Sequence, residues 1–388
     1  MKYRRFGKTG LQIPVISCGG MRFQQSWRRG DAVTEESQRN LEACVRRAFE
    51  LGIHHFETAR GYGTSEYQLG KVLPALPRGE IIVQTKVGAD SDPKKFESNF
   101  EDSMRTLGLD YLDLFAFHGV NDEAGYDRVV RCLDTALRWK REGRIRFLGF
   151  STHAPLDVIL KTIGLGVFDY VNLHWYYIFQ DNWPAVVEAN ARDMGVFIIS
   201  PNDKGGMLYL PPARLVELTA PFHPMVFNGL FCLSRPEVHT LSCGVARPED
   251  FDIHLETAEL SDRAAEAVAP IAARLQEAME RAVGKEYLET WHLGLPEWHQ
   301  TPGNVNIPTI LRLRNLVLAY DMVAYAKMRY NLLGHGDDWF PGENGSKLDG
   351  ADLSACLRDY PYADRVPQML REMHALLGGK EVKRLQTE

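Results

Sequence analysis

The sequence predicts a closed barrel of eight parallel strands wrapped by helices, followed by a smaller helical extension. Three observations predict it. Short apolar runs at 15–18, 55–58, 81–86, 111–118, 145–151, 170–175, 196–200 and 239–243 alternate with longer helical stretches. Eight strand–helix units within roughly 260 residues fit the (β/α)8 TIM barrel. A doubly wound open sheet also alternates, but no strand–GxGxxG–helix unit occurs here. The nearest glycine cluster, Gly61-Tyr62-Gly63, is too short, and no P-loop is present.

The elements follow in order. Residues 3–14 read as a hairpin around Gly7-Lys8-Thr9-Gly10. Leu41, Val45, Ala48 and Phe49 recur at helical spacing before a stop at Gly52. Val130, Leu133, Ala136 and Leu137 do the same before the basic end Arg138-Trp139-Lys140-Arg141 and Gly143. From about Ser261 the alternation ceases. An alanine-rich helix is expected over 264–283, ending at Gly284, then a loop punctuated by Gly294, Pro296, Pro302 and Gly303. Helices are expected at 307–333 and 366–377, separated by a Gly/Asp-rich stretch over 334–350. The boundary is placed at 285, giving a barrel over 1–285 and an extension over 286–388.

Composition narrows the function classes. The 388 residues are 45% hydrophobic and 25% charged with a net charge of -6, values of an ordinary globular chain. That charge argues against nucleic acid or an anionic membrane as partner. No run of eighteen apolar residues exists, and the basic N-terminus lacks the apolar core of a signal peptide. The expected location is the cytoplasm. The cysteines, Cys18, Cys44, Cys132, Cys232, Cys243 and Cys356, are too far apart in sequence for a thiolate metal motif. They read as reduced, mostly buried thiols. His54 and His55 are neighbours on a strand and face opposite ways, so no metal site is expected there.

Reactive side chains of a barrel belong at the C-terminal ends of its strands. The second, third and fourth strands end in Glu57, Lys86 and His118, and Tyr62 follows Glu57 by five residues. Alternation along a strand allows Glu57, Lys86 and His118 to point inward at one mouth. A phenol, with its ordinary pKa of about 10, is a poor acid at neutral pH. A neighbouring ammonium stabilises the phenolate, and a carboxylate keeps that ammonium charged and oriented. An imidazole completes the set by donating to a carbonyl oxygen. Taken singly, each of these residues is also an ordinary way to fill a barrel. Together they suit reduction of an aldehyde or ketone, with Tyr62 as proton donor.

With these residues in place, the sequence resembles the aldo-keto reductase superfamily over about residues 1–260. The resemblance rests on Gly19-Gly20-Met21, FETARGYGTSE (56–66), LDLFAFH (112–118), GFSTH (149–153) and Val171-Asn172. It implies a catalytic tetrad of Glu57, Tyr62, Lys86 and His118, with glutamate standing where the family usually has aspartate. It also implies a nicotinamide dinucleotide, because no side chain supplies hydride. Cofactor contacts implied by the resemblance are Gly20, Met21, Ser151, Thr152, Asn172 and Ser200. Ile199 stands where the family often stacks an aromatic ring. Phosphates are expected near 202–206 and the helix after Pro248. Arg247 there favours NADP(H) over NAD(H), although Asp250 occupies the position of the family's usual later arginine.

Residues beyond 285 resemble a branch of that superfamily with a ferredoxin-like extension. The similarity lies in Asn306-Ile307-Pro308, Leu313, 325–331 and Trp339-Phe340-Pro341-Gly342. The positions of that branch's cluster cysteines hold His292, Leu295, Trp298 and Thr301, then Leu348, Ala351 and Ser354. No iron–sulfur cluster is therefore expected. The extension reads as a structural cover, or as a docking site for a protein partner through Trp291, Trp298, Tyr320, Tyr325, Trp339 and Phe340; burial of these rings favours structure. The expected activity is NAD(P)H-dependent carbonyl reduction on a small molecule. The alternative is a nucleotide-binding regulatory or scaffold protein with little turnover.

Overall fold

Eight apolar runs become eight parallel strands. In the computed structural model, which describes residues 1–348 and 351–379, β1 (Tyr3–Arg5) and β2 (Gln12–Pro14) form an antiparallel hairpin. The barrel strands are β3 (Ile16–Gly19), β4 (His55–Glu57), β5 (Ile82–Val87), β6 (Leu112–Phe117), β7 (Ile145–Ser151), β8 (Tyr170–Leu173), β9 (Gly195–Ile198) and β10 (Thr240–Gly244). They close in the order β10-β3-β4-β5-β6-β7-β8-β9, so the expected fold class is the one observed. These strands are buried on both faces, which is why they read as continuous apolar runs.

The hairpin closes the end of the barrel where the strands begin. Phe6 and Ile13 pack with Ile82, Leu114, Tyr170 and Phe197, all buried. Gly195 makes this possible, since a Cβ there would lie 2.5 Å from the Phe6 ring. Between that end and the C-terminal mouth, Ser17 bonds His55 and Thr240 inside the barrel, at 2.6 Å each.

The surrounding helices are set by caps and apolar stripes. Thr34 accepts from the Ser37 N–H to start Glu35–Glu50, which buries Leu41, Cys44, Val45 and Ala48. Asp122 caps Glu123–Arg141 in the same way, through the Gly125 N–H. The buried stripe of that helix is Val129, Cys132, Ala136 and Trp139, whereas Val130 is exposed. Trp139 sits inside the basic run, yet it stacks on Phe100 at 3.8 Å between ring centroids. Of the apolar residues expected from the sequence, Ala136 is buried and Leu133 and Leu137 are partly buried against the same core. Val130 alone is left outside, and Trp139, a larger apolar surface, is inside.

Two compact units are present: Met1–Gly205 with Met225–Ala267, and Gly206–Pro224 with the described part of Val268–Leu385. The sequence boundary at 285 lies after the helix Ala264–Val283, which spans this division. In the second unit the helices Ile307–Tyr320, Val323–Leu332 and Val366–Leu377 pack on one another. The single helix expected over 307–333 is two. Asp321 takes a left-handed conformation at φ 59°, and its N–H caps Val317 O, an end that aspartate tolerates better than most residues. Trp291, Tyr320 and Tyr325 are buried, and Trp298, Trp339 and Phe340 are half-buried. That burial supports the structural reading of these rings. No helix among the described residues is long and apolar enough to cross a membrane.

Candidate active site

Glu57 and Lys86 are the last inward-facing residues of neighbouring strands, and both are almost wholly buried. The turn after β4 brings in the tyrosine. The Arg60 N–H donates to Lys86 O at 2.9 Å and the Tyr62 N–H to Ala59 O at 2.9 Å, folding this turn across the end of β5. The turn is anchored from below by Glu66, whose buried carboxylate accepts from Thr85 Oγ1 at 2.6 Å, Ser103 Oγ at 3.0 Å and Arg29. Arg29 and Arg60 both pair with Asp102, and Arg60 stands two residues before Tyr62.

The Lys86 ammonium has three N–H bonds and three oxygen acceptors. It pairs with Glu57 Oε2, donates to Thr58 O at 2.7 Å, and lies 3.4 Å from Tyr62 Oη. Burial works against its charge, but Glu57 and then Tyr62 outweigh that and raise its pKa. Lysine therefore stays protonated at neutral pH. The His118 ring meets Tyr62 edge to face, 5.5 Å between centroids. Its pKa is held down to about 3, first by burial, then by the charges of Lys86 and Lys204. Neutral at physiological pH, His118 has one ring N–H to offer to a carbonyl oxygen. The structure thus brings together Glu57, Tyr62, Lys86 and His118.

The expected cofactor residues lie around the same mouth. Gly20 donates its N–H to Glu57 O at 2.8 Å, and Met21 beside it is half-buried. Ser151 Oγ accepts the Gly119 N–H at 3.1 Å, and Thr152 Oγ1 donates to Val120 O at 2.6 Å. Both hydroxyls are thus engaged by the backbone. Asn172 differs: its side chain is fully buried and neither amide atom has a hydrogen-bond partner. Ser200 opens the turn after β9 with φ at 52°, and its carbonyl accepts the Lys204 N–H at 3.2 Å. Arg247, whose side chain is 72% exposed, donates from Nε to Asp250 at 3.3 Å. Asp250 also accepts the Ala246 N–H at 2.8 Å and lies 3.9 Å from Arg22.

Sequence reasoning missed two features. Ser242, on β10, donates to Glu57 Oε1 at 2.8 Å. Its inward parity is readable in the run Thr240–Gly244, but nothing in chain order ties the eighth barrel strand to Glu57. At the ends of β7, β8 and β9, His153 Nδ1 lies 2.6 Å from His174 Nε2 and 3.3 Å from Lys204 Nζ. Those three residues come from separate strand ends and carry no shared motif. Among the described residues no group of three or more His, Cys, Asp or Glu is placed to hold a metal. His55 faces inward to Ser17 at 2.6 Å while His54 stacks on Phe49, so the two rings point apart. The six cysteines are unpaired in disulfides, and Cys356, the one in the extension, is half-buried.

The carboxylate–ammonium–phenol–imidazole cluster thus lies at the C-terminal ends of the strands, the end at which parallel barrels of this kind place their chemistry. A model of the aldo/keto reductase family matches residues 15–163. The chain is 32% identical over 172 residues to an L-glyceraldehyde 3-phosphate reductase of Escherichia coli, covering 40% of this chain and 46% of the relative. It is 30% identical over 213 residues to an L-galactose dehydrogenase of Arabidopsis thaliana, covering 52% of this chain and 64% of the relative. The chain thus spans from about half to under two thirds of these relatives' length. An aldo-keto reductase from Bacillus halodurans in its holo form is similar in fold, with a TM-score of 0.56 at 21% identity over 71% of this chain and 96% of the other. Over residues 15–163 the chain is thus similar to the aldo/keto reductase family, and its barrel has that fold.

Proposed function

We propose that the protein reduces an aldehyde or ketone to an alcohol with a nicotinamide dinucleotide as reductant. The observation that carries this reading is the division of the Lys86 N–H bonds among Glu57, Thr58 O and Tyr62 Oη. That arrangement aims a fixed positive charge at the phenol oxygen, the place where negative charge develops as Tyr62 releases its proton. The neutral His118 orients the carbonyl oxygen toward the phenol. Glu57 keeps the ammonium charged and in register.

The residues present fit the cofactor at one telling point. The unpartnered amide of Asn172 offers one donor and one acceptor to a primary carboxamide, and a buried amide left without either is costly. When bound, the reduced nicotinamide supplies the hydride. Asn172 would hold the carboxamide, with Ser151 and Thr152 shaping that wall through hydroxyls the backbone has already fixed. Gly20, Met21 and Ser200 would line the same mouth. NADP(H) is proposed ahead of NAD(H), because Arg22 and Arg247 flank Asp250 and leave an exposed guanidinium for the 2′-phosphate. The reading includes a small-molecule carbonyl substrate, no iron–sulfur cluster and a reducing, cytoplasmic setting.

Titration with NADPH and NADH by fluorescence, followed by a carbonyl panel with the tighter nucleotide, tests this reading. Saturable nucleotide binding with turnover of at least one aldehyde supports it. Tight binding without turnover on any panel member would replace it with the regulatory alternative.

A further inference from the structure

We propose that Ser242 is a positioning residue that makes a glutamate workable at position 57, an inference that rests on the reading of Tyr62 as proton donor. Glu57 is buried, and its two carboxylate oxygens are divided between two partners. Oε2 takes Lys86, and Oε1 takes the hydroxyl of Ser242 at 2.8 Å from the opposite neighbouring side of the mouth. The three strands involved are consecutive around the barrel: Gly19 of β3 is in register with Glu57 of β4 on one side and with Gly244 of β10 on the other.

Room for the hydroxyl is built into β3. A Cβ at Gly19 would lie 2.8 Å from Ser242 Oγ, so any side chain there would press on the serine. Glycine at 19, serine at 242 and glutamate at 57 therefore fit as a set. The hydroxyl compensates one carboxylate oxygen and fixes the plane of the group, which turns Oε2 toward Lys86. Lys86 is in turn held for Tyr62. Without the hydroxyl, Oε1 is a buried, uncompensated anionic oxygen, and the carboxylate is free to rotate away from its ammonium.

An aspartate at 57 is shorter by one methylene, about 1.5 Å. Added to 2.8 Å, that exceeds the hydrogen-bond limit of about 3.2 Å. Ser242 is thus coupled to glutamate and not to aspartate, and this sets the test.

The experiment compares Ser242→Ala and Ser242→Thr in the intact chain, in the natural and the Glu57→Asp backgrounds. Turnover, nucleotide affinity and melting temperature are measured for each. Ionisation of the Tyr62 phenol is read separately, as the ultraviolet difference between each protein and its Tyr62→Phe partner. Ser242→Ala is expected to lower kcat about ten- to hundredfold, the range for losing a hydrogen bond to a charged group. It should move phenol ionisation to higher pH and leave KM and nucleotide affinity unchanged. Ser242→Thr, which keeps the hydroxyl, should restore both readouts. In the Glu57→Asp background Ser242→Ala should add nothing. An equal loss in both backgrounds, or phenol ionisation unmoved by Ser242→Ala, overturns the proposal. If Tyr62→Phe itself keeps normal turnover, the underlying proton-donor reading fails instead, and phenol ionisation still decides whether Ser242 acts through Glu57 and Lys86.

Discussion

The two compact units bury polar and aromatic side chains for different ends. In the barrel, Glu57, Lys86, Asn172 and Ser242 are buried at one mouth, each polar atom either matched to a specific partner or, at Asn172, left open. In the second unit Tyr320 is buried with its hydroxyl on Leu275 O at 3.1 Å, and Tyr360 reaches Trp291 O at 2.6 Å. Those contacts satisfy a polar tip while a large ring packs, which is ordinary core construction. At the barrel mouth Lys86, Glu57 and Ser242 form one connected set, whereas the two tyrosines of the second unit each bond a separate backbone carbonyl. Convergence, rather than burial, is what marks a candidate site.

The sharpest way to break this contrast is Tyr62→Phe. Turnover should fall by about two to four orders of magnitude, the range for deleting a general acid, with the melting temperature little changed. A steady-state assay with a purified, folded variant measures it, and near-normal rates would dissolve the distinction. The counterpart in the second unit is Tyr320→Ala, expected to cost about 3 kcal/mol or more of that unit's stability through the cavity left by the ring. Denaturant titration reads it. A loss of turnover per folded molecule, with stability intact, would give this unit a chemical role.

Buried imidazoles extend the comparison to pH. Burial, which disfavours their charged forms, holds the pKa of His55 and of His118 down to about 3 and that of His239 down to about 4. Their folded pKa values lie below the unfolded value of about 6.5. The unfolded chain therefore binds more protons between these limits, and stability present above about pH 6.5 is lost as pH falls. At pH 5, fully buried His55 alone removes about 2 kcal/mol. Unfolding midpoints measured from pH 7.5 down to 4.5 should decline, and a His55→Gln variant should decline less steeply. A flat profile would show that these rings are protonated in the folded state.

A smaller effect is expected at the edge of the barrel. Arg247→Ala should weaken NADPH binding about tenfold, the lower end for a hydrogen bond to a charged group at an exposed site, while NADH binding is nearly unaffected. Equal weakening of both would assign Arg247 to the shared part of the nucleotide or to structure. The smallest effect is none. Chelators should leave the unfolding midpoint unchanged, and anaerobically purified protein should carry no iron, because Cys356 is the extension's one cysteine.

Chain order determined much of this protein. Alternating apolar runs and helices pointed to a parallel sheet covered on both faces, and the eight-unit count with no strand–GxGxxG–helix unit favoured the closed barrel over an open sheet. The polar ends of β4, β5 and β6 were legible because neighbouring strands of a barrel are also neighbours in the chain. Tyr62 was readable for the same reason, lying in the turn that leaves β4. Other features were decided only by folding. Helix Glu123–Arg141 buries Trp139 from within its basic run and leaves Val130 exposed, because the ring finds Phe100 to stack on. The helix expected over 307–333 breaks at Asp321, where a left-handed cap competes with continued helix. Ser242 meets Glu57 only because the barrel closes, bringing β10 beside β3 and within reach of β4. Asn172 stands in register with Ser151 only because β7 and β8 pair, and the Ser151 hydroxyl is engaged by the Gly119 N–H. Local spacing carries information about residues a few positions apart. Barrel closure joins residues 185 apart in the chain, and three-dimensional packing alone sets what those residues do to one another.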